Sequence, residues 1–143
     1  MCIITRKNKL EIKTATEDMV VYKLVVYDQG NLYTYFMEIP VCLGETYDRD
    51  DFVEKWEEIH IGPRKRYAIG EGAFHSAVRK EDLEKDRDNR NWTYRVFELD
   101  TRIDIAKCII PKGSRYVEGR TYQCFNKECL AIASEKIKYI EIV

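Results

Sequence analysis

The segment from Gly70 to Ser76 carries the most pointed combination of chemical groups in this sequence. A glycine-bearing loop precedes His75 and Ser76, which stand at the predicted start of a helix. Free N–H groups at a helix N-terminus bind anions, and a histidine beside them can act as acid, base or phosphate contact. In the structural alternative, Phe74 fills the core, His75 bonds a backbone carbonyl and Ser76 caps the helix. One His-Ser pair does not decide between the two interpretations.

Glu128 is the second candidate for chemistry. It stands at the start of a predicted late strand, where a carboxylate can orient a ribose hydroxyl or stabilise an oxocarbenium ion. The alternative is a glutamate on the solvent side of that strand. His75 and Glu128 are therefore the candidate catalytic residues, on the condition that the fold brings both into one cleft.

Five further residues are candidates for binding a ligand or partner. The basic run 64–66 stands beside Tyr67 and could contact phosphate, although three charges in a nearly neutral chain are more often a solvated loop. Lys112 lies in a proline turn, and Tyr116 follows in a short extended piece. The predicted binding residues are Arg66, Tyr67, Ser76, Lys112 and Tyr116.

Metal and thiol chemistry are not expected. Four residues separate Cys124 from Cys129, rather than the two that are typical of zinc sites. Cys42, Cys108 and Cys124 have apolar, strand-like neighbours, and thiols in such surroundings are usually inert. Five scattered cysteines, an odd number, indicate reduced thiols in a reducing compartment. The sequence thus predicts neither a metal nor a cofactor.

Composition and charge narrow the class of protein. The 143 residues include 24 Lys and Arg against 25 Asp and Glu, which leaves a net charge of -1. This excludes a strongly basic nucleic-acid binder as the default. Apolar residues make up 45% and aromatic residues 12%, as in a folded globular chain. No apolar run approaches the roughly 20 residues that span a bilayer, so we predict a cytoplasmic, soluble protein of one domain.

Two helices and six to eight strands are predicted to position these residues. Phe52, Val53, Trp56 and Ile59 recur at helical spacing, which predicts a helix from Arg49 to His60. Ser76 is the predicted N-cap of a second, highly charged helix that runs to about Asp88. The rest of the chain favours strands, with a hairpin around the turn at 28–31. The predicted strands are 20–27, 32–39, 65–69, 92–99, 103–110 and 136–143, with short extended pieces at 115–117 and 121–125 and the residues 128–131 leading into the last strand. The predicted class is α+β, mainly antiparallel sheet.

Three short patterns resemble small uncharacterised proteins of gut Bacteroides-type bacteria and their phages. They are a "GFHS"-like turn at 72–76, an "IPKGS-x-Y" turn at 110–116 and an "S-x-K-I-x-Y" strand at 134–139. Ala73 stands between Gly72 and Phe74, which departs from the first pattern. The resemblance covers roughly the C-terminal half and implies no particular activity.

A fainter resemblance is to the last strands of ADP-ribosyltransferases. Residues 109–113 are similar to their "I-x-I-P-x-G" segment, and residues 128–130 to the strand that holds their catalytic glutamate. Asn126 replaces the Glu or Gln of the arginine-modifying members, and the Ser-Thr-Ser strand is missing. The resemblance implies either an enzyme acting on a nucleotide or a degenerate relative without catalysis.

Three functions from different classes remain open at the level of sequence. The first is a non-enzymatic interaction or ligand-binding module with a protein or small-molecule partner, favoured by the Tyr-rich, neutral composition. The second is a transferase or hydrolase that acts on a nucleotide through His75 and Glu128. The third is nucleic-acid contact through 64–66 and Tyr67, which the charge balance disfavours. A membrane partner is not expected, and exposed sheet edges allow a monomer or a homodimer.

Overall fold

Strands rich in β-branched and aromatic residues make up most of this fold. The computed structural model describes residues 3–35, 39–52, 56–69, 72–124 and 127–143. These residues contain twelve strands and one helix. The strands are β1 (Ile3–Ile4), β2 (Lys13–Thr14), β3 (Met19–Asp28), β4 (Asn31–Thr34), β5 (Thr46–Asp48), β6 (Trp56–Ile61), β7 (Arg64–Ile69), β8 (Phe74–Ala77), β9 (Thr101–Ile110), β10 (Arg115–Cys124), β11 (Lys127–Ser134) and β12 (Lys136–Ile142). The helix is α1 (Glu81–Val96).

All described strands join one open sheet with antiparallel pairing. Its order is β5-β12-β9-β3-β8-β11-β10-β1-β7-β6, with β4 beside β3 and β2 beside β10. The longest pairing runs between β3 and β9, from Met19 opposite Ile110 to Asp28 opposite Thr101. The predicted turn between β3 and β4 is confirmed, and Gln29 and Gly30 both adopt positive φ there. The predicted class, mainly antiparallel α+β, is confirmed; the predicted numbers of strands and helices are not.

The core divides between the two faces of the sheet. On one face, Val21, Cys108, Ile132 and Tyr139 belong to the first buried cluster. On the other face, α1 packs on β3 and β9 through Leu83, while Phe52, Ile69 and Val117 belong to a third cluster. Neighbouring residues of one strand enter different clusters because successive side chains point to opposite faces.

The helix predicted from Arg49 to His60 is wrong. Residues 56–61 form β6, which pairs along its length with β7. Gly62 and Pro63, which resemble a helix stop, are instead the two-residue turn of this hairpin, and Gly62 adopts the positive φ that the turn requires. Phe52 and Trp56 meet edge to face at 5.4 Å between ring centroids. Val53 lies outside the described residues.

The second predicted helix is displaced along the chain. Ser76, its predicted N-cap, lies buried in β8, and the helix begins at Glu81 and continues to Val96. The strand predicted at 92–99 is therefore wrong. Asn91 exchanges two hydrogen bonds with the backbone of Ile103, of 2.8 and 2.7 Å, and so fixes this part of the helix to β9. This tertiary contact outweighs the β-propensity of the residues from Trp92 to Leu99.

Gly119 lets β1 lie close against β10. A Cβ at this position would meet the methyl group Cγ2 of Ile3 and would come within 2.6 Å of the carbonyl oxygen of Ile4. Glycine is required at position 119 because it has no Cβ. The neighbouring backbone cannot move to make room for one without breaking the pairing of Ile4 with Arg120.

We expect Gly119→Ala to lower the free energy of unfolding by about 1–3 kcal/mol, the usual cost of forcing an extra methyl group into a packed site. Urea denaturation followed by circular dichroism measures this loss. An unchanged midpoint and slope would show that β1 can move away from β10 at no cost.

Lys23 lies on the apolar face of β3 that packs in the first cluster. Its Nζ donates a hydrogen bond to the carbonyl oxygen of His75. Burial lowers the pKa of Lys23 to about 8, while the nearby Cys108 opposes this shift. Burial also raises the pKa of the Cys108 thiol to about 12. Between pH 8 and the ordinary pKa of lysine, the native state therefore holds fewer protons on Lys23 than the unfolded chain does.

We expect Lys23→Met to stabilise the protein near pH 7 by about 1–3 kcal/mol. At this pH, Lys23 of the wild type is charged in the folded state, and burying that charge costs free energy that burying methionine does not. The cost is complete below pH 8 and disappears as the pH rises toward 10.5. The stability advantage of the variant over wild type should therefore shrink across this interval. Urea titrations of both proteins at pH 7, 8, 9 and 10 test this, and a constant difference would contradict it.

Candidate functional site

His75 lies in a strand near the middle of the sheet rather than at the start of α1. It belongs to β8 and stands opposite Ala133 on β11. Its side chain is half-buried, and its carbonyl accepts the hydrogen bond from Lys23. The predicted arrangement, a histidine delivered to the start of a helix, is therefore wrong, since α1 begins six residues later.

Glu128 and His75 are not brought together. Glu128 stands five residues before Ala133 on β11, the partner of His75. Five residues of strand span about 17 Å, and an odd separation places the two side chains on opposite faces. The pairing register thus separates the two residues proposed as a catalytic pair.

Four of the predicted binding residues are scattered. Ser76 is 1% exposed on β8. Tyr67 turns toward Lys65, whose Nζ lies 5.5 Å from the ring centroid. Lys112 is exposed in the β9–β10 turn, where its backbone N–H donates to Asp18 at 2.9 Å. Tyr116 packs against the first cluster.

Arg66, the fifth predicted binding residue, lies with Glu128 in one groove of about 630 Å³. Ile4 stands between Arg120 of β10 and Ala68 of β7, so these positions share one face of the sheet. Alternation brings Arg66 and Glu128 to the same face. Four neighbouring strands, β11, β10, β1 and β7, therefore form the floor of this basic groove.

The chain between β1 and β2, residues 5–12, forms one wall of the basic groove. Thr5 anchors this wall, because its backbone N–H donates to the carbonyl of Tyr67 at 2.9 Å and its hydroxyl accepts from the N–H of Tyr67 at 3.0 Å. The same hydroxyl donates to the carbonyl of Lys7 at 3.0 Å, which bends the wall. At the other end, Lys13 stands opposite Tyr116 in the pairing of β2 with β10.

The lining of the basic groove is strongly cationic. Seven basic side chains face three acidic ones, so its net charge is +4 in a chain of net charge -1. The basic residues are Arg6, Lys7, Lys9, Lys13, Arg64, Arg66 and Arg120, and the acidic ones are Glu11, Glu118 and Glu128. The concentration of like charge in one depression favours anions there.

Two of the acidic side chains already neutralise a neighbour. Glu118 binds Lys13 at 3.2 Å and raises the pKa of that lysine, while Glu128 binds Arg120. Within the described residues, no ion pair is formed by the other five basic side chains of the lining, which are Arg6, Lys7, Lys9, Arg64 and Arg66. Their charge is available to a ligand.

Sequence reasoning named Arg66 and Glu128 but missed most of the basic groove. The sequence presents the run 64–66 as one basic patch, whereas β7 sends Arg64 and Arg66 to the groove and Lys65 to the opposite face. The alternation of β7 was a signal for this separation. No sequence signal indicated that Arg6, Lys7 and Lys9 would face β7, because that contact depends on β1.

Comparison with known proteins adds no family. No family model matches the chain, and neither a curated protein nor a solved structure matches it. In the portions of the chain that the structure describes, no group of His, Cys, Asp and Glu side chains is suited to hold a metal. The described part also contains no helix long and apolar enough to cross a bilayer.

Proposed function

We propose that this protein is a non-enzymatic binding module for an anionic ligand, which occupies the basic groove. The observation that carries the proposal is the set of five basic side chains that find no carboxylate partner among the described residues. Holding like charges together opposes folding, and a bound anion relieves that repulsion. A volume of about 630 Å³ falls within the usual range for small-molecule sites.

The alternative enzyme function receives no support from these positions. An ADP-ribosyltransferase-like reaction through His75 and Glu128 requires both in one cleft, and the strand register separates them. The resemblances to ADP-ribosyltransferases and to the bacterial and phage proteins stay predictions, as does a cytoplasmic location. A binding module needs only the charges and shape of the groove.

We expect wild-type protein to bind inorganic tripolyphosphate, and Arg66→Gln to weaken that binding roughly tenfold, the worth of a strong charge-assisted contact. Lys65→Gln is the matched control, because it removes the same charge from the adjacent residue on the opposite face of β7. Its affinity should stay within about twofold of wild type, since exposed charges off the site are screened. Isothermal titration calorimetry at low salt measures both.

Two outcomes would overturn the proposed function. One is the absence of saturable binding up to about 1 mM tripolyphosphate, which is weaker than a built anion site should give. The other is an equal loss in Arg66→Gln and Lys65→Gln, which would assign the binding to overall charge. Circular dichroism of each variant establishes that the fold is kept.

A further inference from the structure

The basic groove has two halves of different chemistry. In the cationic half, Arg64 and Arg66 of β7 face the basic side chains of the wall, without carboxylate partners among the described residues. In the mixed half, on β10 and β11, Glu118 and Glu128 stand beside the cations that bind them. A ligand that was anionic throughout would suit only the first half.

Each carboxylate of the mixed half keeps an oxygen for a ligand. Lys13 donates a hydrogen bond to Oε2 of Glu118, and Arg120 donates one to Oε1 of Glu128. Among the described residues, no donor reaches the second oxygen of either group. Both side chains are about one-third to one-half exposed, at 53% and 36%. Ionised carboxylates only accept hydrogen bonds, so the groups that they can hold are O–H or N–H donors.

Arg120 supplies a complementary donor at the same place. Its Nε is buried and has no acceptor among the described residues, while Nη1 binds Glu128. The rest of the guanidinium lines the groove, and the side chain is 35% exposed, so a ligand oxygen can accept a hydrogen bond from its accessible N–H groups. A hydroxyl group both donates and accepts, so it can meet a carboxylate and the Arg120 side chain together.

We infer that the ligand of the basic groove is a phosphorylated polyol, such as a sugar phosphate, with phosphate in the cationic half and hydroxyl groups on Glu118 and Glu128. The inference rests on the proposed function, because it assigns a ligand to the same groove. Bare polyphosphate would meet two carboxylates in the mixed half. The described lining contains no aromatic ring, and single-stranded nucleic acid is usually held by such rings.

Two probes that differ in their hydroxyl groups test this inference. Fructose 1,6-bisphosphate and 1,6-hexanediol bisphosphate both carry two phosphate groups, but only the sugar carries free hydroxyls. We expect wild-type protein to bind the sugar at least about fivefold more tightly, as one or two additional hydrogen bonds would give. Isothermal titration calorimetry with the full chain measures both affinities.

The double variant Glu118→Gln and Glu128→Gln should remove most of the preference for the sugar without weakening the binding of hexanediol bisphosphate. If the amide oxygens keep Lys13 and Arg120, the amide NH2 groups face the ligand as donors. The sugar preference should then fall to about twofold or less, while binding of hexanediol bisphosphate is unchanged or tighter because two negative charges are lost. Glu141→Gln is the matched control, since Glu141 is also an exposed strand glutamate near a lysine, Lys107 at 3.8 Å. It should keep the wild-type preference.

The outcomes separate this inference from the proposed function. If both probes bind and Arg66→Gln weakens both, but the sugar preference is absent or survives the double variant, the ligand class is wrong and the anion site stands. If neither probe nor tripolyphosphate binds, both proposals fail. Circular dichroism checks that the double variant keeps its fold, and each single glutamine variant repeats the test if it does not.

Discussion

The close contact between β1 and β10 is the constraint on which the rest of the structure depends. β1 has two residues, yet in the described sheet it joins the hairpin of β6 and β7 to the other strands. Its fit against Gly119 brings the arginines of β7 alongside the glutamates of β10 and β11. Because the wall follows directly from β1, the same contact also determines where the basic side chains after Thr5 stand.

Local patterns predicted the hairpins but not the elements that depend on distant partners. The β3–β4 turn and the strands around 103–110 and 136–142 follow from alternation and turn residues, which act over a few residues. The helix expected at 49–60 fails because pairing with β7 and contact between Phe52 and Trp56 outweigh a short helical spacing. The helix α1 extends further than expected because Asn91 bonds the backbone of β9, and no local signal contains that contact.

The candidate site, like the fold, could be predicted from the sequence only in part. Arg66 and Glu128 can be identified as candidates from their residue types. They share a groove because the register in which β1 pairs with β7 and β10 places both side chains on the same face of the sheet. A shift of one residue would send either side chain to the opposite face. His75 illustrates the reverse case, since its chemistry is suggestive and its register places it on the face away from Glu128. Residue types indicate which side chains could form a site, and the strand register determines which of them lie together.

The uneven distribution of charge has a consequence for how the molecule behaves in solution. The lining of the groove carries +4 and the whole chain -1, so the remaining residues together carry -5. The positive charge is therefore concentrated in the groove, and the isoelectric point of about 6.2 does not describe that region. At neutral pH and low ionic strength, such a molecule would bind to a cation-exchange resin through its groove despite its negative net charge. It would also approach a charged surface in a preferred orientation, with its groove toward a negative one.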